Sequence, residues 1–161
     1  MLLLRPTPGV CVDRQSILRL KIDQASKRSL KSGHFADEHR ALQDYLEEHW
    51  FPSIKHNQRK EFVLHSRALA KVNRALWDLE DEIRRLRSLS AGGRERASKH
   101  IVSIAFAIPE LNDDRARLVE KINALFDVIA QEKLYLSASP VAERKRKGLH
   151  TGMRTRARLG R

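Results

Sequence analysis

Residues 69–86 read LAKVNRALWDLEDEIRRL and place Leu69, Val72, Leu76, Leu79, Ile83 and Leu86 at alternating steps of three and four. That spacing gathers six apolar side chains into one stripe on an α-helix. A second stripe of the same period follows: Ile101, Ile104, Ile108, Leu111, Arg115, Leu118, Ile122, Leu125 and Ile129. Between them stands Ala91-Gly92-Gly93, adjacent glycines that suit a helix C-terminus and a tight reversal. Two long stripes joined this way predict an antiparallel helical hairpin with coiled-coil-like packing. A chain built on such a pair is constrained to an all-α fold.

The flanking segments extend the pattern. Residues 1–8 hold two prolines and read as an extended lead-in. Residues 9–12 (GVCV) suit a turn or a short extended piece. Asp13 is then the expected N-cap of a first helix to about Ser29, with Ile17, Leu18, Ile22 and Ala25 inward. Residues 31–33 look like a break. A second helix is expected over 35–50, burying Phe35, Leu42, Leu46 and Trp50 and ending before Phe51-Pro52. The hairpin's first arm is expected from near Gln58 to Leu89. The predicted fold is all-α: four or five helices forming one bundle over residues 9–136, closed off by SASP and followed by a disordered basic tail over 137–161.

Charge and cysteine usage narrow the setting. The net charge is +12, but it is unevenly spread. Residues 137–161 carry Arg144, Lys145, Arg146, Lys147, Arg154, Arg156, Arg158 and Arg161 against Glu143 alone, a net +7 that leaves +5 for everything before it. One cysteine, Cys11, excludes an internal disulfide and a cysteine zinc cage. The apolar run Leu2 to Leu4 is too short for a signal-peptide core or a membrane span, so a cytoplasmic setting is expected.

Polar residues interrupt the hairpin where burial alone would not place them. Beside the first stripe runs a row of Asn73, Trp77, Glu80, Arg84 and Arg87. In the second stripe Arg115 takes a slot whose neighbours are all Ile or Leu. A guanidinium keeps its charge, so burial there requires a carboxylate or several carbonyls nearby. A reversal near Gly92 sets Arg115 roughly opposite Val72 and Asn73. Pro109, in the same arm, is expected to kink or divide its helix.

Three stretches resemble one family. Residues 9–22, GVCVDRQSILRLKI, resemble a segment usually written Gly-Glu, Asp-Lys, Ile-Leu and Lys. Residues 69–85 resemble its Val-Asn, Leu-Trp and Glu-Asp-x-Ile-Arg signature. Residues 108–123, IPELNDDRARLVEKIN, are similar to its Asn-Asp-x-Arg-Ala and Ile-Asn signature, and Glu132, Lys133 and Tyr135 fit a trailing motif. The family is bacterial and of unknown function, its members often encoded among surface-polysaccharide (lipopolysaccharide) genes. The resemblance implies an all-helical domain with a link to glycan assembly. It points to Asp13, Arg14, Lys21, Asn73, Trp77, Glu80, Asp81, Arg84, Asn112, Asp113, Arg115 and Asn123. Val10 stands where the family has Glu, and Val119-Glu120 replace a basic pair. If that Glu is catalytic in relatives, this chain lacks the role.

These residues suggest a polar pocket between helices. Arg14, Lys21, Arg84 and Arg115 would bind an anion, Asn73 and Asn112 would supply amides, and Trp77 a stacking face. Glu80, Asp81 and Asp113 would hold the cations in place. The alternative is a buried ionic network that fixes helix register. Three carboxylate pairs at i, i+3 (Asp44/Glu47, Asp78/Asp81, Glu110/Asp113) could hold Mg2+ against a phosphorylated nucleotide or sugar in a small hydrolase or transferase. The seven histidines show no zinc-site spacing, and no phosphate-binding loop or nucleophile elbow is present. The tail could contact nucleic acid or an anionic membrane without reading sequence. The expected role is a non-enzymatic accessory protein that binds an anionic ligand or a protein partner, with a homodimer possible through leftover apolar stripes.

Overall fold

The computed structural model describes residues 5–128, and the proposed tail, its boundary at SASP and Ile129 lie outside them. Five helices appear in the order α1 (Pro8–Lys27), α2 (Gly33–His49), α3 (Arg59–Arg87), α4 (Ala91–Arg96) and α5 (Ser98–Ala124). Two short 3-10 turns, Phe51–Ser53 and His56–Gln58, link α2 to α3. There is no strand among the described residues, so the fold is all-α as the two stripes require.

α3 and α5 pack along their length as the expected hairpin. Leu69, Leu76 and Leu86 of one arm and Ile104 and Ile122 of the other are buried. The reversal differs from the expectation. Gly92 and Gly93 do not end α3; they lie inside α4, whose N-cap Ser90 accepts from the Gly93 amide at 3.3 Å. Arg94 Nη1 reaches back to the carbonyl of Leu89 at 2.5 Å. A serine cap followed by small residues outcompetes the glycine stop because a helical turn satisfies more backbone groups.

α1 starts earlier than expected. Thr7, not Asp13, is the N-cap; its carbonyl accepts from the Cys11 amide at 3.0 Å, and Pro8 occupies the first turn. Proline is pre-set for that position and loses no hydrogen bond there, so GVCV is helical and Asp13 projects from the helix body. At its other end Ser29 adopts φ 53°, and Leu30 N–H closes onto the Ala25 carbonyl at 2.8 Å. Asp127 (φ 53°) ends α5 in the same manner. Both are helix stops of the kind usually given to glycine. Pro109 does not divide α5, which runs through it with the ring exposed on the outer side.

α1 is the element against which α2, α3 and α5 all pack. That explains its buried residues on several faces, among them Cys11, Val12, Leu18, Leu20 and Ala25. It runs antiparallel to α5, as Gly9–Asn123 and Asp13–Arg115 establish, antiparallel to α2 through Gln15–Gln43 and Lys21–Phe35, and parallel to α3 through Asp13–Asn73 and Asp23–Arg74. At one end of the bundle Trp50, Phe51, Phe62 and Phe126 meet edge-on, with centroids 5.3 to 6.1 Å apart. They seal a core of Cys11, Leu46, Leu69 and Ile122.

Gly9 is where α1 comes closest to α5. Its amide donates to Asn123 Oδ1 at 2.8 Å, which gives an otherwise orphaned first-turn N–H a partner from another helix. A Cβ on Gly9 would lie 2.4 Å from the Val119 carbonyl oxygen and 2.8 Å from Asn123 Oδ1. Backbone cannot give way there as a side chain would. Gly9→Ala is therefore expected to lower unfolding free energy by about 2–3 kcal/mol in urea titration, and an unchanged midpoint would contradict this packing.

Candidate functional site

The polar residues converge on one carboxylate. Asp13, on the second turn of α1, accepts from Asn73 Nδ2 of α3 at 2.8 Å and from Arg115 Nε of α5 at 2.8 Å. Arg115 Nη2 binds the second carboxylate oxygen, which makes the pair bidentate. Asn73 also donates to Ser16 Oγ at 2.5 Å, and that hydroxyl donates to the Asp13 carbonyl at 2.8 Å. Three helices thus meet through one acid, two side-chain donors and a hydroxyl. Arg115 holds its stripe slot because α1, rather than the facing arm of the hairpin, supplies the counter-charge.

The charge of Arg115 is fully compensated within the cluster. The hydrogen bonds that Arg115 donates to Asp13 push its pKa still higher, and the charges of Asp13 and Glu80 add to that. With Asp13 bound and Glu80 at longer range, one guanidinium faces two carboxylates. Asp13 keeps 13% of its side-chain surface and Arg115 33%, so the acid is the more deeply committed member.

Other expected site residues go elsewhere. Asn123 joins the cluster's helices one level away, through Gly9. Arg14 pairs with Glu38 of α2 at 2.7 and 3.1 Å, and Lys21 lies over the Phe35 ring at 5.2 Å, so both cations face α2. Glu80, Arg84 and Arg87 are exposed, which corrects the reading of an inward polar row. Arg84 bonds Asp81 at 2.5 Å on its own helix, and a charge with a local partner and water has no need of the interior. Arg84 holds the Asp81 carboxyl below the usual range, helped by the charge of Arg28. The Trp77 indole nitrogen is buried and lacks a well-formed hydrogen bond among the described residues. Asn112 donates to the Ile108 carbonyl of its own helix at 3.0 Å, and Asp113 is exposed.

The sequence reading passed over a second polar contact. Gln15, buried, donates to Gln43 Oε1 at 3.0 Å across the α1–α2 seam, and Gln43 donates to Glu47 at 2.7 Å. Gln15 and Gln43 line a cavity of about 190 Å3 with Ser16, Leu46, Phe62 and Ser66. That is smaller than a typical ligand pocket of about 300–1,000 Å3. A larger apolar recess of about 300 Å3, lined by Phe51, Ile54, Arg59, Phe62 and Val63, lies at the aromatic end. Neither cavity is lined by Asp13, Asn73 or Arg115. Glutamine inside a helix is an ordinary surface residue, so spacing alone gave no signal for Gln15.

The carboxylate pairs proposed for Mg2+ do not assemble. Among the described residues no three His, Cys, Asp or Glu side chains are grouped to hold a metal. The three pairs lie on three different helices, α2, α3 and α5, and Asp44, Glu47, Asp78, Glu110 and Asp113 are exposed. Cys11 is fully buried and burial pushes its thiol up to about 11, which removes it as a nucleophile near neutrality. No helix among the described residues is long and apolar enough to cross a membrane. Compared with known protein families, curated proteins and solved structures, the chain matches none. The family resemblance therefore rests on its three motif stretches alone.

The two partners of the ion pair are not equivalent, and this is measurable. Arg115→Met leaves a mostly buried carboxylate with one amide for company and should cost about 2–3 kcal/mol of stability. Asp13→Asn leaves a guanidinium that reaches water, and should cost about 1–2 kcal/mol. Chemical denaturation at neutral pH checks the order, and a larger loss for Asp13→Asn would contradict the burial argument.

Proposed function

We propose that this protein is a non-enzymatic helical binding module whose internal polar cluster locks the helices in register and whose partners meet its outer surfaces. The observation that carries this reading is the bidentate Asp13–Arg115 pair completed by Asn73. A guanidinium already held by a carboxylate, with Glu80 close by, offers an incoming anion little net attraction. The expected anionic ligand site inside the bundle is thereby narrowed to a structural role. A place in cell-surface polysaccharide assembly draws its support from the family resemblance. The cationic run over 137–161 would add a salt-sensitive attraction for polyanions to the same module.

A thermal-shift screen of the full chain tests this against the ligand alternative. Inorganic phosphate, nucleotides, nucleotide sugars and Mg2+ are expected to leave the melting temperature of the bundle unchanged. A saturable rise with any of them, absent in Arg115→Met, would establish a ligand site at the cluster and overturn the structural assignment.

A further inference from the structure

We propose that the outer face of α5 pairs with the same face of a second copy of this chain, antiparallel, about a two-fold axis at Phe106. Phe106 is 71% and Val102 53% exposed, one helical turn apart. At 100° per residue both point away from the inward face marked by the buried Ile104 and Ile122. Pro109 continues this apolar strip, also exposed. Exposed large side chains gathered on one face, rather than scattered, mark an interaction surface.

The charges around the strip select the occupant. On the N-terminal side stands Lys99, and on the C-terminal side stand Glu110 and Asp113, all exposed and with no ion-pair partner among the described residues, while Arg117, the next charge along this face, is already held by Asp114 of its own helix. A face ordered cation, apolar, acid is complementary to itself when reversed. With Phe106 opposite Phe106, Lys99 meets Asp113 of the second copy and Val102 meets the stem of its Glu110. A parallel pairing would stack cation on cation and acid on acid. An anionic membrane or nucleic acid would be repelled by the two carboxylates beside the apolar strip. Reciprocal contact, in which Lys99 of each copy meets Asp113 of the other, is the signature of a two-fold interface. The proposal is independent of the role assigned to the polar cluster.

Sedimentation equilibrium of the full chain, in a series reaching about 300 µM, tests it. The weight-average mass should climb from 18.6 kDa toward twice that value. Lys99→Glu and Asp113→Lys should each weaken association about tenfold, and the double variant should recover it, because every affected position is on the surface and the charges are merely exchanged. Phe106→Glu should leave the monomer. A mass of 18.6 kDa at every concentration, a dimer indifferent to Phe106→Glu, or a double variant as weak as the singles would overturn the proposal.

Discussion

The carboxylate of Asp13 is shared by an amide from α3 and a guanidinium from α5, and the placement of α1 depends on that sharing. Apolar stripes decide which faces of helices turn inward, but they decide poorly how far one helix slides along another. A shift by one turn presents nearly the same set of Leu and Ile side chains. A buried acid whose partners lie on two other helices tolerates no such shift, because the displaced arrangement strands a charge. Hydrophobic burial supplies most of the driving force, and the Asp13 network supplies the register. The second fixed point is the Gly9 amide on Asn123. Two points of contact along one pair of helices set both translation and rotation.

This division of labour explains the distribution of the remaining polar residues. Near the aromatic end, Trp50, Phe51, Phe62 and Phe126 close the core without any charge. Toward the hairpin reversal, the charged residues of α3 satisfy one another locally, as in the Arg85–Glu82 and Arg84–Asp81 pairs. Exposed pairs of this kind contribute little to stability, so they accompany the fold rather than specify it. Exposed apolar side chains occur elsewhere too, as at Val63 and Leu64 of α3, but the back of α5 carries Phe106, the most exposed of them, beside Val102 one turn away. That contrast separates a surface that needs only water from one shaped for contact.

The hairpin was legible because its signal is periodic and long: nine positions in the second stripe and six in the first leave no competing period. Arg115 was legible as an anomaly, since one cation in a row of Ile and Leu demands a counter-charge. Its partner was not. Asp13 lies 102 residues away, and as a helix-favoured cap residue its local signal pointed to an N-terminus that Thr7 and Pro8 in fact provide. The stops at Ser29 and Asp127 were hidden for a related reason, because glycine is the residue expected at positive φ and neither position has it. Gln15 and Gln43 gave no warning, since the burial of Gln15 arises from α2 covering α1 and not from any pattern in either helix. Local chemistry is readable in a chain; the meeting of distant side chains is settled by packing.

The central claim is that Asp13 and Arg115 are coupled through space as the register lock of the bundle. A double-mutant cycle on Asp13→Asn and Arg115→Met, read by urea denaturation, measures that coupling directly. The account predicts a favourable interaction of about 1.5–3 kcal/mol, with the double variant clearly more stable than additive losses would leave it. A coupling indistinguishable from zero would mean that the pair sits side by side without holding the helices together, and the assignment of register to this contact would fail.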